Sequence, residues 1–181
     1  MAGGRIVAMS GPVNDDSGLD HARGHWLDVD LIAWPSGALG GLSPGDVDWR
    51  LHWAADGRLD PRASEPVPWN TCGLNFDPDG LPQRERERFP QWGHCLALRV
   101  PEATAARASE LLTARLAVSA HHPSGRLLEA SGLQIAGVLD RRYRAAVDAD
   151  LGPHWHGGRP TLRLWAPTAR EVALLLWHGE L

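Results

Sequence analysis

The C-terminal stretch at 160–181 constrains the fold of this chain more than any other stretch. It reads PTLRLWAPTAREVALLLWHGEL, with two short apolar runs at 162–165 and 172–177 on either side of a turn at 166–169. The first run alternates with the two-residue period of a strand. The second run is apolar on both faces, as in a buried strand. Because an isolated hairpin is marginally stable in water, we expect this pair to open a domain whose other strands lie outside the chain.

Short strand patterns, separated by turn residues, fill the rest of the chain from residue 22 to residue 138. They are predicted at 26–34, 48–54, 74–76, 95–100, 116–121, 126–130 and 134–139. Their spacing of about ten residues is typical of an all-β sandwich. The sequence therefore predicts a mainly β fold for this part of the chain.

The first strand pattern indicates which side chains face the core. The odd-numbered positions of Leu27–Ala33 are all apolar and are predicted to face inward. This arrangement leaves Trp26, Asp28 and Asp30 on the outer face. A turn at the two aspartates would instead break the run into a short hairpin.

The second strand pattern, at 48–54, predicts a half-buried strand. Its three large apolar side chains, Trp49, Leu51 and Trp53, share one face, while Arg50 and His52 lie on the other. Strict alternation of this kind is the pattern of a strand with one face on the core.

Helices and loops are predicted from proline, glycine and charge. The segment PEATAARASELL at 101–112 begins with proline and predicts the one peripheral helix. A second short helix is expected at 141–149, in a connector. Five prolines argue against a central strand or a long helix within 60–88. The charged run at 84–88 is predicted as a solvated loop or edge, and the run HWHGG at 154–158 is predicted as a polar loop.

Composition excludes several classes of partner. The net charge of −4 argues against nucleic acid, whose phosphates require a basic surface. No apolar run approaches the roughly 18 residues of a membrane span. The N-terminus lacks the apolar core of a signal peptide, so a cytoplasmic location is expected. Cys72 and Cys95 have no CxxC spacing and are expected to be free thiols in a reducing compartment, while spacing alone leaves a disulfide between them open.

Nine tryptophans, against one tyrosine and two phenylalanines, suggest two uses for the indole ring. Most tryptophans should pack in the core, and this is expected of Trp49, Trp53, Trp165 and Trp177. An exposed ring beside polar side chains could instead stack on a sugar. The candidate carbohydrate-binding groups are Trp26 with Asp28 and Asp30, Trp69 with Asn70, and Trp92 with His94.

Metal and cofactor chemistry is not indicated. His154 and His156 are two residues apart and would share a face of a strand, which suits a pair of metal ligands. No third ligand is spaced to join them, and a Ser-His-Asp triad cannot be read from spacing alone. We expect neither a metal site nor a cofactor.

Four ordered stretches resemble a known family. LRLWAPTAREVALLLW at 162–177 is similar to the first two strands of carbohydrate-binding module family 48. GLQIAGVLDRRYRAAVDADLG at 132–152 resembles the connector that enters that module in bacterial pullulanases of glycoside hydrolase family 13. HARGHWLDVDLIAWP at 21–35 and WRLHWAADGRL at 49–59 resemble the opening strands of the pullulanase N2 domain.

The resemblance implies an order of domains. An immunoglobulin-like N2 β-sandwich is expected at 21–138, and a connector with a short helix at 139–157. The first two strands of a truncated family 48 module should follow at 158–181. Residues 1–20 are rich in Gly, Asp, Ser and Asn and are expected to be a flexible tail.

The resemblance also implies a function, which in the full-length family is hydrolysis of α-1,6-glucosidic branches. Retaining glycosidases need two carboxyl groups about 5–5.5 Å apart. The family carries them on a barrel of about 250 residues, which this chain cannot contain. No catalytic residue can be assigned, so the chain alone is expected not to be an enzyme.

The expected role is therefore that of a non-catalytic accessory region. Its expected partners are the catalytic domain of the parent enzyme and an α-glucan such as starch, glycogen or pullulan. Two alternatives stay open at this point. One is a stand-alone α-glucan-binding module, and the other is a structural domain without a ligand.

Overall fold

The computed structural model describes residues 22–37, 39–55, 59–62 and 69–175. The predicted tail at 1–20 lies outside them. Within the described residues no helix has the length and apolar character needed to cross a bilayer.

Strands dominate the described part of the chain. They are β1 Gly24–Asp28, β2 Leu31–Trp34, β3 Asp48–Ala54, β4 Asn70–Asp77, β5 Leu96–Arg99, β6 Arg115–His121, β7 Leu127–Gln134, β8 Gly152–His156 and β9 Arg159–Arg163. The α-helices are short: α1 Gln83–Arg88, α2 Glu102–Ala105, α3 Ala108–Leu111 and α4 Ala136–Arg142. Single 3₁₀ turns occur at Pro44–Asp46, Pro90–Trp92 and Arg144–Ala146. The prediction of a mainly β fold is confirmed.

Strands β1 to β7 form a closed barrel in the order β1-β2-β5-β4-β3-β6-β7. Its two sheets face each other as in a sandwich and share strands at the corners. Strand β4 pairs with β3 through residues 70–74 and with β5 through residues 75–77. Strand β7 pairs with β6 and then, in parallel, with β1.

Large side chains fill the inside of the barrel. The rings of Trp26, Trp34 and Trp49 are fully buried there, and those of Trp34 and Trp49 meet edge to face with centroids 5.8 Å apart. Aromatic rings bury roughly 150–250 Å² each, so tryptophan makes up much of this small core. The prediction that the face of Trp49 and Trp53 packs on the core is confirmed.

Strands β1 and β2 are buried on both faces. The predicted break is confirmed, because a turn at Val29 and Asp30 separates the two strands. The odd-numbered positions pack outside the barrel, where Leu27 and Leu31 meet Leu81 and Cys95. On the even-numbered face Trp26, Ile32 and Trp34 line the barrel, so the expected outward position of Trp26 is wrong.

The segment 60–88 departs from its prediction because its prolines flank regular structure and do not interrupt it. Strand β4 lies between β3 and β5, in the middle of the sheet order, and ends just before Pro78. Helix α1 follows Pro82 and buries Glu85. The exclusion of a central strand and the prediction of a loop at 84–88 are therefore wrong, whereas the predicted solvent exposure of that run holds except at Glu85.

The helix predicted at 101–112 is divided into α2 and α3. The amide of Arg107 bonds to the carbonyl of Thr104, three residues back, which tightens the chain between the two helices. Helix α3 then packs Ala108 and Leu111 on the barrel. Burial of these side chains has overridden the continuous helix that the alanine-rich sequence favours.

Helix α4 occupies most of the segment predicted as a strand at 134–139. It packs on β1, and Gly137 allows the close approach. A Cβ atom at this position would lie 2.9 Å from the carbonyl oxygen of Trp26 and 3.0 Å from the Cα atom of Leu27. The helix predicted at 141–149 is therefore shifted towards the N-terminus, and only the 3₁₀ turn at Arg144–Ala146 falls wholly within its range.

The C-terminal hairpin is formed by different segments from the predicted ones. Strand β9 pairs with β8, the strand that precedes it, and not with the segment that follows it. The two strands are joined by a two-residue turn in which Gly157 and Gly158 have φ of 57° and 78°. Such left-handed pairs suit the twist of a hairpin. The predicted loop at 154–158 is therefore wrong. Residues 171–175 form no regular structure, which contradicts the predicted strand at 172–177 as far as that strand is described.

Candidate functional site

The structure does not form the sugar-binding group predicted at Trp26. This ring is fully buried inside the barrel and has no free face for a sugar. The prediction is wrong for this residue because β1 is covered on both faces. Alternation in the sequence cannot show which of two apolar faces lines the barrel.

The two aspartates of that group bind arginines. One carboxylate oxygen of Asp28 accepts hydrogen bonds from Arg141 at 3.0 Å and from Arg84 at 3.2 Å. The carboxylate of Asp30 accepts one from Arg99 at 3.1 Å. Charge-assisted bonds of this kind fix orientation. They join the β1–β2 turn to α1, α4 and β5, so a structural role accounts for both aspartates.

The second candidate, Trp92 with His94, lies outside the β1 side of the barrel. The ring of Trp92 stacks on His25 with centroids 3.9 Å apart and lies 4.7 Å from the ring of Phe89. Burial lowers the pKa of His25 below its usual value, which favours the neutral imidazole. Trp92 is partly buried and His94 is exposed. This pair keeps a partly accessible aromatic ring beside a polar side chain.

The third candidate, Trp69 with Asn70, lies outside the other sheet. Trp69 is partly buried against Ala54 and Ala117, and its ring meets His52 edge-on at 6.1 Å. Asn70 is exposed at the start of β4. The two partly accessible tryptophans therefore contact different sheets, and the structure does not bring all the predicted groups into one site.

The most exposed tryptophan among the described residues was missed by the sequence analysis. Trp155, on β8, is 69% exposed and lies directly opposite Pro160, while Pro153 lies opposite Leu162. These cross-strand neighbours make one face of the β8–β9 hairpin apolar, and we call them the ribbon face. The Gly-Gly pair between two alternating runs is the sequence signal that could have revealed it.

The opposite face of the hairpin is polar. His154 and Arg163 each lie 3.5 Å from the carboxylate of Asp150. Beyond the hairpin, the ring of Trp165 meets Tyr143 edge-on at 5.3 Å but stays 44% exposed. Its expected place in the core is therefore wrong. Trp177 lies outside the described residues.

A second group that the sequence analysis missed is a chain of polar side chains outside β3 and β6. His52 Nε2 lies 2.6 Å from Ser119 Oγ, which lies 2.8 Å from His121 Nε2. Burial, together with the nearby charges of His121 and Arg50, lowers the pKa of His52 to about 4. Local sequence gives no signal for this chain, because the register between β3 and β6 creates it.

Metal and thiol chemistry find little support in the described residues. No group of three or more His, Cys, Asp or Glu side chains there could hold a metal ion. Cys72 and Cys95 are free, as predicted. Burial raises the pKa of both thiols, which disfavours the reactive thiolate at neutral pH.

Comparison with known proteins identifies the family. The model of the family described as the pullulanase N2 domain matches residues 21–141. The chain belongs to the pullulanase N2 domain family. The predicted resemblance to that domain is confirmed, whereas the boundaries at 138 and 157 stay predictions.

Two relatives of this N2 domain are full-length pullulanases. The pullulanase of Klebsiella pneumoniae is 29% identical over 164 residues, which are 90% of this chain and 14% of the relative. The chloroplastic pullulanase 1 of Arabidopsis thaliana is 28% identical over an alignment of 179 positions, and the match covers 90% of this chain and 16% of the relative. The chain thus spans about one sixth or less of the length of these relatives.

Solved structures of the Klebsiella pneumoniae pullulanase share the fold of this N2 domain. The apo enzyme matches with a TM-score of 0.70 and 26% identity, over 86% of this chain and 17% of that one. The enzyme complexed with maltotriose matches with the same TM-score and identity, over 86% of this chain and 15% of that one.

Proposed function

We propose that this N2 domain is a non-catalytic accessory region of a pullulanase-type debranching enzyme of glycoside hydrolase family 13. It packs beside a catalytic domain that cleaves α-1,6-glucosidic branches. The observation that carries the proposal is the ribbon face, which leaves Trp155 and Leu162 open to solvent beside a closed barrel. Contiguous exposed apolar surface of this kind marks contact sites in soluble proteins.

The position of the exposed apolar residues supports a docking role. The large exposed hydrophobic side chains of the described residues all lie between 147 and 175: Val147, Leu151, Trp155, Leu162, Leu164, Trp165, Val172, Leu174 and Leu175. We propose that those after residue 157 begin a second β-rich module of the family 48 carbohydrate-binding type, and that the others lie in the connector that enters it. Neighbouring protein then covers them in the parent enzyme.

A binding assay tests docking. The chain would be mixed with Klebsiella pneumoniae pullulanase from which the matched segment has been removed, and the complex would be followed by sedimentation velocity. We expect association that weakens at least tenfold in the variant Trp155→Ser, because an interface tryptophan is often an anchor. The variant His94→Gln, which changes a residue outside the hairpin, is the control. Equal binding by both variants would contradict docking through the ribbon face.

Positioning of α-glucan is a second role that a specific observation favours. The tryptophans at 69 and 92 are partly accessible, and the exposed residues Asn70 and His94 follow them one and two positions later in the sequence. A relative with the same fold has been crystallised with maltotriose. We propose that one of these two surfaces holds a malto-oligosaccharide weakly for the catalytic domain.

Affinity electrophoresis separates glucan binding from a purely structural role. The chain would migrate through native gels with and without glycogen or pullulan. Retardation that Trp92→Ala or Trp69→Ala removes is expected for a binder, while unchanged migration would reject glucan binding. A reducing-sugar assay on pullulan, with the chain alone, tests the absence of catalysis. Measurable turnover there would overturn the accessory role.

A further inference from the structure

A buried polar chain on the outer face of β3 and β6 contains none of the residues assigned above to docking or glucan binding. It consists of His52 on β3 and of Ser119 and His121 on β6. His52 and Ser119 are both buried. The apolar side chains of Leu59 and Trp69 pack over the same face, against Ala54 and Ala117.

The carbonyl at the end of the chain determines where the protons lie. His121 Nδ1 is 3.3 Å from the carbonyl oxygen of Gly125, which can only accept, so this nitrogen carries the proton. In the neutral ring His121 Nε2 must then accept, and the hydroxyl of Ser119 donates to it. Ser119 Oγ in turn accepts the proton of His52 Nε2. The other nitrogen of His52, Nδ1, is therefore bare.

The surroundings of His52 Nδ1 disfavour its protonation. His52 Nδ1 is buried and has no hydrogen-bond partner among the described residues. An added proton would leave a buried donor unsatisfied, and such groups are costly. The charges around it also oppose protonation, since Arg50, and His121 whenever it is itself charged, repel a positive imidazole.

We propose that the His52–Ser119–His121 chain is an acid-sensitive clasp that loosens the outer face of β3 and β6 when His52 takes up a proton. The proton enters at Nδ1, and the charged ring then leaves the apolar contact with Trp69 to reach water. The charged or titratable groups on the surrounding elements are Asp48 and Arg50 on β3, Arg115 and His121 on β6, and Asp60 and Arg62 in the covering segment. Strand β4 contributes the neutral Thr71 opposite His52.

The direction of the pH effect follows from the pKa of His52, which is about 4 in the folded domain against 6.5 for an ordinary histidine. The unfolded chain binds this proton more tightly. Stability is therefore complete above pH 6.5 and falls as the pH drops towards 4. The difference corresponds to a change on the order of 10²-fold in the unfolding equilibrium from this one side chain.

Urea unfolding between pH 7 and pH 4 tests the clasp. His52→Gln keeps a side chain of similar size that can bond to Ser119 but cannot take up a proton. We expect the unfolding constant of the wild type to rise on the order of 10²-fold more across this range than that of His52→Gln. The control His156→Gln, at an exposed site on β8 away from these three side chains, should follow the wild type. Parallel pH profiles for wild type and His52→Gln would overturn the proposal.

Two further measurements leave His52 unchanged, so they do not depend on whether His52→Gln folds. Long-range ¹H–¹⁵N NMR of the wild type reads the tautomer of His52, and we expect the proton on Nε2 with no titration above pH 5. The fluorescence difference between wild type and Trp69→Phe reports the environment of that indole, which should become more polar as the pH falls from 6 to 4. A proton on Nδ1, or ordinary titration near pH 6.5, would refute the clasp.

Discussion

The barrel and the β8–β9 hairpin treat the same kinds of side chain in opposite ways. In the barrel, Trp26, Trp34 and Trp49 are fully buried and both sheets have covering segments. In the hairpin, Trp155 alternates with polar neighbours in the same manner but stays largely exposed. The comparison teaches that an alternating pattern specifies which side chains share a face, whereas their burial depends on what packs against that face.

The largest expected difference between the two regions is in the cost of losing a tryptophan. Trp34→Ala should lower the free energy of unfolding by about 3–5 kcal/mol, because it empties a large volume in a closed core. Urea unfolding monitored by circular dichroism would measure this change. A cost below about 1 kcal/mol would mean that the barrel interior can collapse or is already loose, and the comparison would fail.

An intermediate effect is expected where α4 meets the barrel. Gly137→Ala places a methyl group against the backbone of β1 and should cost about 1–3 kcal/mol through overpacking. Gly73→Ala on β4 is the matched control, since its Cβ would meet open space and its φ is not left-handed. The same urea assay applies to both. If the two variants were equally stable, α4 would not be held tightly on β1.

The smallest effect on stability is expected in the hairpin. Trp155→Ser should change the free energy of unfolding by no more than about 0.5 kcal/mol, because an exposed side chain loses little packing. The same change should reduce binding of an apolar dye such as ANS, which reports exposed hydrophobic surface. A large loss of stability would show that the ribbon face is part of the folding core and not a contact surface.

The sequence predicted the parts of the fold that depend on local pattern. The alternation in β3 correctly placed Trp49, Leu51 and Trp53 on the core. It did not reveal that His52 and Ala54, on the other face, are buried as well, since Leu59 and Trp69 cover them from a different part of the chain. Side chains that cover a strand from a distant segment do not change the two-residue alternation of that strand's own sequence.

The candidate site residues also divide into those whose exposure the sequence predicted and those whose exposure it did not. Sequence reasoning selected Trp69 and Trp92, which remain partly accessible, and Trp26, which does not. It missed Trp155 because the glycine pair beside it was interpreted as part of a loop, although such a pair also closes a tight hairpin. Composition indicated many indole rings but not which of them would reach solvent.

The order of the strand patterns, the mainly β fold and the membership of the N2 family are contained in the amino-acid sequence, because local periodicity and motif order survive without any contact between distant residues. The tertiary structure alone decided the pairing of β9 with β8, the double burial of β1 and β2, and the meeting of His52 with Ser119. Each of these depends on strand register or on covering segments, and such contacts form only when residues far apart in the chain come together.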